Sequence, residues 1–213
     1  VNLGAAAQEY AAAGWRVFPC SREKIPFVKE WQNVATTDTE QVARWWKARP
    51  RASIGYATGE LVVVDVDGVA GLETRCETEA EGLAWPVTLT SFTGRREGGL
   101  HLYYRPPAGV EIRNAVYKPG SSRGIGPGVD VRGRGGLTVL PPSPHKSGRP
   151  YLWLVRQEPV EIPAWMAERL KPPAPLRVHP PRGDFERYAH AAVRGEIAEL
   201  SDVSEGRRND QLN

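Results

Sequence analysis

Apolar positions recur along this chain with two periods, one helical and one extended. Leu3, Ala6, Tyr10 and Ala13 fall at helical spacing within residues 2–13, and Gly14 follows as a C-terminal cap. Residues 15–19 read as a strand, and 21–31 as a loop containing Lys24-Ile25-Pro26. Thr37-Asp38-Thr39-Glu40 has the form of a capping box with Thr37 as N-cap. The helix after it presents Val42, Trp45 and Trp46 and stops at Pro50. Short strands follow at 53–57 and 61–67, joined by Thr58-Gly59. Residues 69–84 form a polar helix that Trp85-Pro86 ends. Further strands are predicted at 87–93, 100–104, 129–132, 137–140 and 151–155. A basic, glycine- and serine-rich loop covers 113–128, and a short helix covers 163–170.

One strand stands out. Leu61-Val62-Val63-Val64 leads into Asp65-Val66-Asp67-Gly68, so Asp65 and Asp67 share a face and Val64 and Val66 share the other. Carboxylates withdrawn from water need a partner, and a divalent cation is a natural one. Taken alone, the pair reads as a strand end with both acids solvated. The later strands change that. Leu100, Leu102 and Tyr104 share a face opposite His101 and Tyr103, and Asp130 and Arg132 stand opposite Val129 and Val131. Adjacent strands lie roughly 4.8 Å apart, and same-face neighbours on one strand about 7 Å apart. If these strands pair, three carboxylates come within reach of one or two cations. Two-metal phosphoryl-transfer sites need cations about 3.5–4 Å apart.

Composition adds less. The 213 residues suffice for one substantial domain with an appendage, and the content of Gly and Pro suits a loop-rich globular protein. No apolar run is long enough to span a bilayer and no signal peptide is visible, so a cytoplasmic protein is the expectation. Cys20 and Cys76 are too few and too scattered for a structural zinc site. The net charge is only +3, yet residues 95–156 carry eleven Lys and Arg against Glu97, Glu111 and Asp130, or +8. Arginine outnumbers lysine 22 to 6, which suits bidentate phosphate contacts and equally reflects a genome's composition.

The motifs taken in order resemble the bifunctional primase–polymerase (prim-pol) branch of the archaeo-eukaryotic primase superfamily. They are Gly14-Trp15-Arg16-Val17-Phe18-Pro19, Lys24-Ile25-Pro26, Ile54-Gly55-Tyr56-Ala57-Thr58-Gly59 and Val64-Asp65-Val66-Asp67-Gly68. Gly98-Gly99-Leu100-His101-Leu102-Tyr103-Tyr104, Gly128-Val129-Asp130-Val131-Arg132-Gly133 and Pro141-Pro142-Ser143-Pro144-His145-Lys146-Ser147-Gly148 complete the set. The likeness spans about residues 5–153. It implies an α+β fold, with a small α/β module joined to an RNA-recognition-motif-like sheet and the site in the cleft between them. It also implies template-dependent nucleotidyl transfer from an NTP or dNTP to a 3′-hydroxyl, for replication initiation. Asp65, Asp67 and Asp130 are then the catalytic acids and ligands of two Mg²⁺ or Mn²⁺ ions, and His101 contacts the incoming nucleotide. Arg132, Ser143, His145 and Lys146 are taken as further nucleotide contacts, with turn decoration as the alternative for His145 and Lys146. Arg95, Arg96 and Arg123 are taken as contacts to single-stranded template and primer, with Tyr103 stacking a base. Lys24 reads as a solvated loop lysine. The chain departs from the family in the charged turn Arg95-Arg96-Glu97, where Glu97 precedes Gly-Gly in place of a small or basic residue.

Residues 1–171 are thus expected to form the catalytic domain and 172–183 a proline-rich linker. Residues 184–213 are expected to begin a helical domain leading towards a helicase in a plasmid- or phage-type replication protein. Two rival readings are a haloacid-dehalogenase-type phosphatase, which shares the Asp-x-Asp-Gly strand end, and a non-catalytic nucleic-acid-binding module. The first usually has Thr or Ser after that glycine, where this chain has Val69. The second leaves three acids facing phosphates unexplained.

Overall fold

The computed structural model describes residues 1–120 and 123–171, all within a unit running from Val1 to Pro173. The expected linker at 172–183 and the helix at 184–213 lie outside the described residues. In chain order the elements are α1 (Leu3–Ala12), β1 (Val17–Cys20), α2 (Trp31–Val34), α3 (Thr39–Ala48), β2 (Ser53–Ala57), β3 (Val62–Asp67) and α4 (Gly68–Ala80). They continue with β4 (Leu89–Phe92), β5 (Gly99–Tyr104), β6 (Ala115–Val116), β7 (Val129–Arg132), β8 (Leu137–Leu140), β9 (Leu152–Val155) and α5 (Ala164–Leu170). No helix among the described residues is long and apolar enough to cross a membrane.

The strands build two antiparallel sheets, a small one ordered β1-β2-β8 and a large one ordered β6-β7-β3-β5-β4-β9. The two runs joined by Thr58-Gly59, β2 and β3, therefore belong to different sheets. Alternation along β3 decides what each face of the large sheet meets. Val62, Val64 and Val66, with Leu102, Tyr104, Val129 and Val131, pack on one side with Trp85, Ile162, Met166 and Leu170. Val63, Leu89 and Tyr103 on the opposite face pack with Ile54, Tyr56 and Leu140 of the small sheet and with Ala7, Ala11, Val42 and Trp46. The large sheet is thus covered on both faces, by helix-bearing segments behind and the small sheet in front.

The two N-terminal helices differ in detail from expectation. The buried seam of α1 is Gly4, Ala7 and Ala11, not the larger residues beside it. A methyl group at Gly4 would lie 3.0 Å from Trp46 Cβ, so small residues let α1 come close to α3. The N-cap of α3 is Asp38, not Thr37. Its Oδ1 accepts from the backbone of Glu40 (2.9 Å) and Gln41 (3.2 Å), and Thr36 Oγ1 accepts from Asp38 N. A short carboxylate at this position satisfies two of the helix's unpaired N–H groups at once. The loop at 113–128 also contributes β6, which pairs with β7 at the edge of the large sheet.

Gly55, in the middle of β2, is where the ring of Phe18 lies across the small sheet. A Cβ there would fall 2.6 Å from Phe18 Cε2 and Cζ. Gly55→Ala should therefore destabilise the protein by about 1–3 kcal/mol, the usual cost of overpacking. Phe18→Leu in the same chain should return part of the loss. Urea unfolding of the two variants checks this, and unchanged stability for Gly55→Ala would mean that the ring has room to move.

Candidate active site

The register of the large sheet sets Asp65 at the centre of a polar row. Asp130 on β7 opposes it on one side and His101 on β5 on the other. His101 in turn opposes Ser91 on β4, and Ser91 opposes Trp153 on β9. Directly opposed residues of antiparallel strands have Cα atoms about 4.5–5.5 Å apart. Asp67 lies one step along the same face, opposite Gly99, and Arg132 one step the other way, opposite Val63. Gly68, with φ +60°, ends β3 and turns the chain into α4. Asp67 is the N-cap residue of that helix but makes no side-chain capping bond. Its carboxylate is directed elsewhere, to Arg95 Nη1 at 2.5 Å.

Each acid stands in a different electrostatic state. Asp65 is 4% exposed, and its Oδ1 has no hydrogen-bond partner. His101 Nε2 lies 3.4 Å away, close enough for attraction and too poorly disposed for a hydrogen bond. Burial, and then the neighbouring charge of Asp67, push the Asp65 carboxyl up to about 6. Burial likewise raises Asp130, opposed by Arg132, whose Nη2 donates to Asp130 Oδ2 at 2.8 Å. His101 is 1% exposed, and burial followed by the charge of Lys24 pushes its imidazole down to about 3. It is a neutral ring at physiological pH, sharing a 2.9 Å hydrogen bond between Nδ1 and Thr138 Oγ1 of the small sheet. That bond ties β5 to β8 directly beside Asp65.

A cleft of about 220 Å³ opens over this face. The large sheet contributes Asp65, Asp67 and His101. The loop after β1 contributes Arg22, Glu23 and Lys24, and the turn between β4 and β5 contributes Thr93 and Arg95. His145, Lys146 and Tyr151 come from the segment after β8. Acids thus form the floor, and cations from three separate loops form the rim.

Several expected contacts move. Tyr103 is fully buried between the sheets, near Ser91 Oγ and Trp153, and has no free face on which to stack a base. Tyr104 is equally buried. Ser143 has no exposure and does not line the cleft, its Oγ accepting from Ile54 N at 2.8 Å. In both cases the small sheet covers the surface on which the expectation relied. Arg132 does not line the acid cleft but a neighbouring one with Lys24. Arg95 pairs with Asp67, Arg123 Nη2 donates to Asn114 O, Arg96 is exposed, and His145 and Lys146 line the acid cleft. Arg22, Lys24, Thr93 and Tyr151 join the cleft without having been expected there. Of these, only Lys24 carried a sequence signal, its place in a family motif.

Among the described residues no three His, Cys, Asp or Glu side chains already stand as a cluster able to hold a metal ion. The chemistry of the acids nevertheless suits a hard cation. The buried Oδ1 of Asp65 lacks a partner, and Arg95 and Arg132 supply positive charge to the other two carboxylates. A divalent ion with oxygen ligands would satisfy that orphaned atom.

The model of a family described as bifunctional DNA primase/polymerase, N-terminal, matches residues 7–165 of the 213. No curated protein matches the chain.

The state of Asp65 has a measurable consequence. A carboxyl held at about 6 in the fold, against about 3.9 when unfolded, binds its proton more tightly in the folded state. The fold is therefore least penalised below about pH 4 and loses stability as pH rises through about 6. Asp65→Asn should raise the melting temperature of metal-free protein by several degrees near pH 8, and the gain should vanish near pH 4. Mn²⁺ should stabilise the unsubstituted protein and leave the variant almost unchanged. Scanning calorimetry at the two pH values checks both, and a pH-independent gain would remove the buried charge as its cause.

Proposed function

Because the chain belongs to the bifunctional DNA primase/polymerase family and is a nucleotidyltransferase acting on DNA template and nucleotides, we propose that Asp65, Asp67 and Asp130 carry its catalytic divalent cations. The family assignment removes the phosphatase and the non-catalytic binding module as readings of the whole. It also brings the mixed α+β architecture, with its two antiparallel sheets, under the archaeo-eukaryotic primase fold. We read the large sheet as its RNA-recognition-motif-like half and the small sheet with α1 and α3 as the accompanying module.

The observation that carries the reading is the acid row on paired strands with an unpartnered buried oxygen at its centre. Bound Mg²⁺ or Mn²⁺ would lower the pKa of the attacking 3′-hydroxyl and neutralise charge on the triphosphate. The remaining work falls to the chain's own side chains. Asp65 is fixed by its sheet neighbours, so its carboxylate needs little rearrangement to meet a cation. The neutral imidazole of His101, braced by Thr138, keeps its position beside Asp65 and the triphosphate without adding charge. Arg95, with Lys146 and Arg22 on the rim, supplies charge-assisted donors for the β- and γ-phosphates. Arg95 exchanges its partner Asp67 for phosphate when cation and nucleotide arrive. Exposed Arg96, with the other basic residues between 95 and 156, offers contacts to template and primer phosphates. The finer partition, with a linker at 172–183 and a helical segment leading to a helicase, remains part of this proposal.

In the reaction the 3′-oxygen gives up its proton to solvent and bonds to the α-phosphorus. The bond from that phosphorus to the bridging oxygen breaks, and pyrophosphate leaves with the electron pair. Asp65→Ala, Asp67→Ala and Asp130→Ala should each lower metal-dependent incorporation on a primed template by at least about 100-fold, since each removes a metal-ligand contact. Circular dichroism should show the fold retained. Activity within a few-fold of the unsubstituted protein for any one of the three would remove that residue from the metal site. Template affinity should also fall with salt, with a log–log slope of about −0.7 per phosphate contact on a single strand. A flat response would place the basic residues away from DNA.

A further inference from the structure

Lys24-Ile25-Pro26 brings to the acid cleft a charged side chain that the proposed function does not use. Its lysine is held in an unusual way. Lys24 has φ +67°, a left-handed conformation that disfavours any residue with a Cβ. The turn around it is closed by its own hydrogen bonds. Ser21 N donates to Ile25 O at 2.8 Å, Lys24 N donates to Ser21 O at 3.1 Å, and Ser21 Oγ accepts from Glu23 N and Ile25 N. Phe27 N donates to Pro19 O, which anchors the turn on β1. A strained backbone retained in this way points to a demand on the side chain's direction.

That direction is into the site. Lys24 lines the acid cleft with Asp65 and Asp67, and it also lines the neighbouring cleft of about 330 Å³ with Arg132, Asn114 and Trp31. It therefore stands where the two clefts meet, reaching from the small sheet towards acids on the large one. No ion pair or side-chain hydrogen bond holds its ammonium among the described residues. Arg95 and Arg132, by contrast, are each committed to a carboxylate. The charge of Lys24 is felt by Asp65, Asp130, His101 and His145 alike. A cation so placed repels a divalent metal arriving alone. It is useful only once a polyanion joins the metal.

We propose that Lys24 binds the α-phosphate of the incoming nucleoside triphosphate, at the junction of the two clefts. This rests on the acid row being the metal site. With the leaving pyrophosphate over the cationic rim of the first cleft, the second cleft admits the attacking 3′-end. As the 3′-oxygen bonds to the α-phosphorus and pyrophosphate departs, negative charge grows on the non-bridging oxygens. The Lys24 ammonium stabilises it as a fixed positive charge and transfers no proton.

Loss of this side chain should weaken nucleotide binding without weakening metal binding. Lys24→Gly removes the ammonium and suits the left-handed backbone, so the melting temperature should hold or rise. Its affinity for Mn²⁺ alone, measured by titration calorimetry, should be equal or several-fold tighter. Its affinity for an α,β-imido dNTP with Mn²⁺ should fall about tenfold or more, and kcat/KM for incorporation about 10–100-fold, the range for losing a charge-assisted contact. Lys24→Arg should recover most of the nucleotide affinity. Unchanged nucleotide affinity in Lys24→Gly, or a parallel loss of Mn²⁺ and nucleotide binding, would overturn the proposal. Asp65→Ala in the same assays separates the two claims. If it stays active, the metal-site reading fails. If it is inactive while Lys24→Gly is normal, the role of Lys24 alone fails.

Discussion

The structure depends on the cost of keeping a carboxylate, Asp65, in the middle of a sheet and almost out of water. Burial and the charge of Asp67 push its carboxyl up to about 6, and one of its oxygens is left without a hydrogen bond. A fold selected only for stability would place valine there, as it does at the neighbouring positions 62, 63, 64 and 66. The surroundings moderate the cost without removing it. His101 is neutral at a distance of 3.4 Å, and Arg95 and Arg132 are spent on the two flanking acids. What remains is an unmet demand for positive charge at one point, which is a binding site in physical terms.

The two sheets divide the labour around that point. The large sheet sets the spacing of the acids through strand register, which fixes neighbouring positions more tightly than loops do. The small sheet and its loops bring cations over them. Thr138 belongs to β8 of the small sheet, and Lys24, His145 and Lys146 belong to segments that leave it. Acids on the large sheet, with Arg95 and Arg132 beside them and Lys24 and Lys146 arriving from the small sheet's loops, make a cleft of mixed charge.

Strand period made much of this legible in the sequence. Alternation placed Asp65 with Asp67, His101 with Tyr103 and Asp130 with Arg132, and β3, β5 and β7 hold those faces as read. Alternation could not show that part of the polar face is itself covered. Tyr103 lies on the same face as His101, yet it is buried because Ile54, Tyr56 and Leu140 arrive from another sheet. Ser143 is buried for a similar reason, its hydroxyl serving β2. Lys24 was hidden in the opposite way. A lysine in a loop looks solvated until the turn that aims it is seen, and nothing local announces that the loop after β1 closes over a strand some forty positions later. Asp38 displaced Thr37 as N-cap because adjacent capping residues compete and the sequence pattern alone does not rank them.

We propose that Asp65, Asp67 and Asp130 together hold the catalytic cations. Anomalous diffraction from crystals grown with Mn²⁺ and an α,β-imido dNTP tests it most directly. Manganese peaks should lie in contact with carboxylate oxygens of all three residues, with Arg95 no longer paired to Asp67. Peaks bound elsewhere, or manganese held by none of the three acids in crystals of a protein whose incorporation requires that metal, would contradict it.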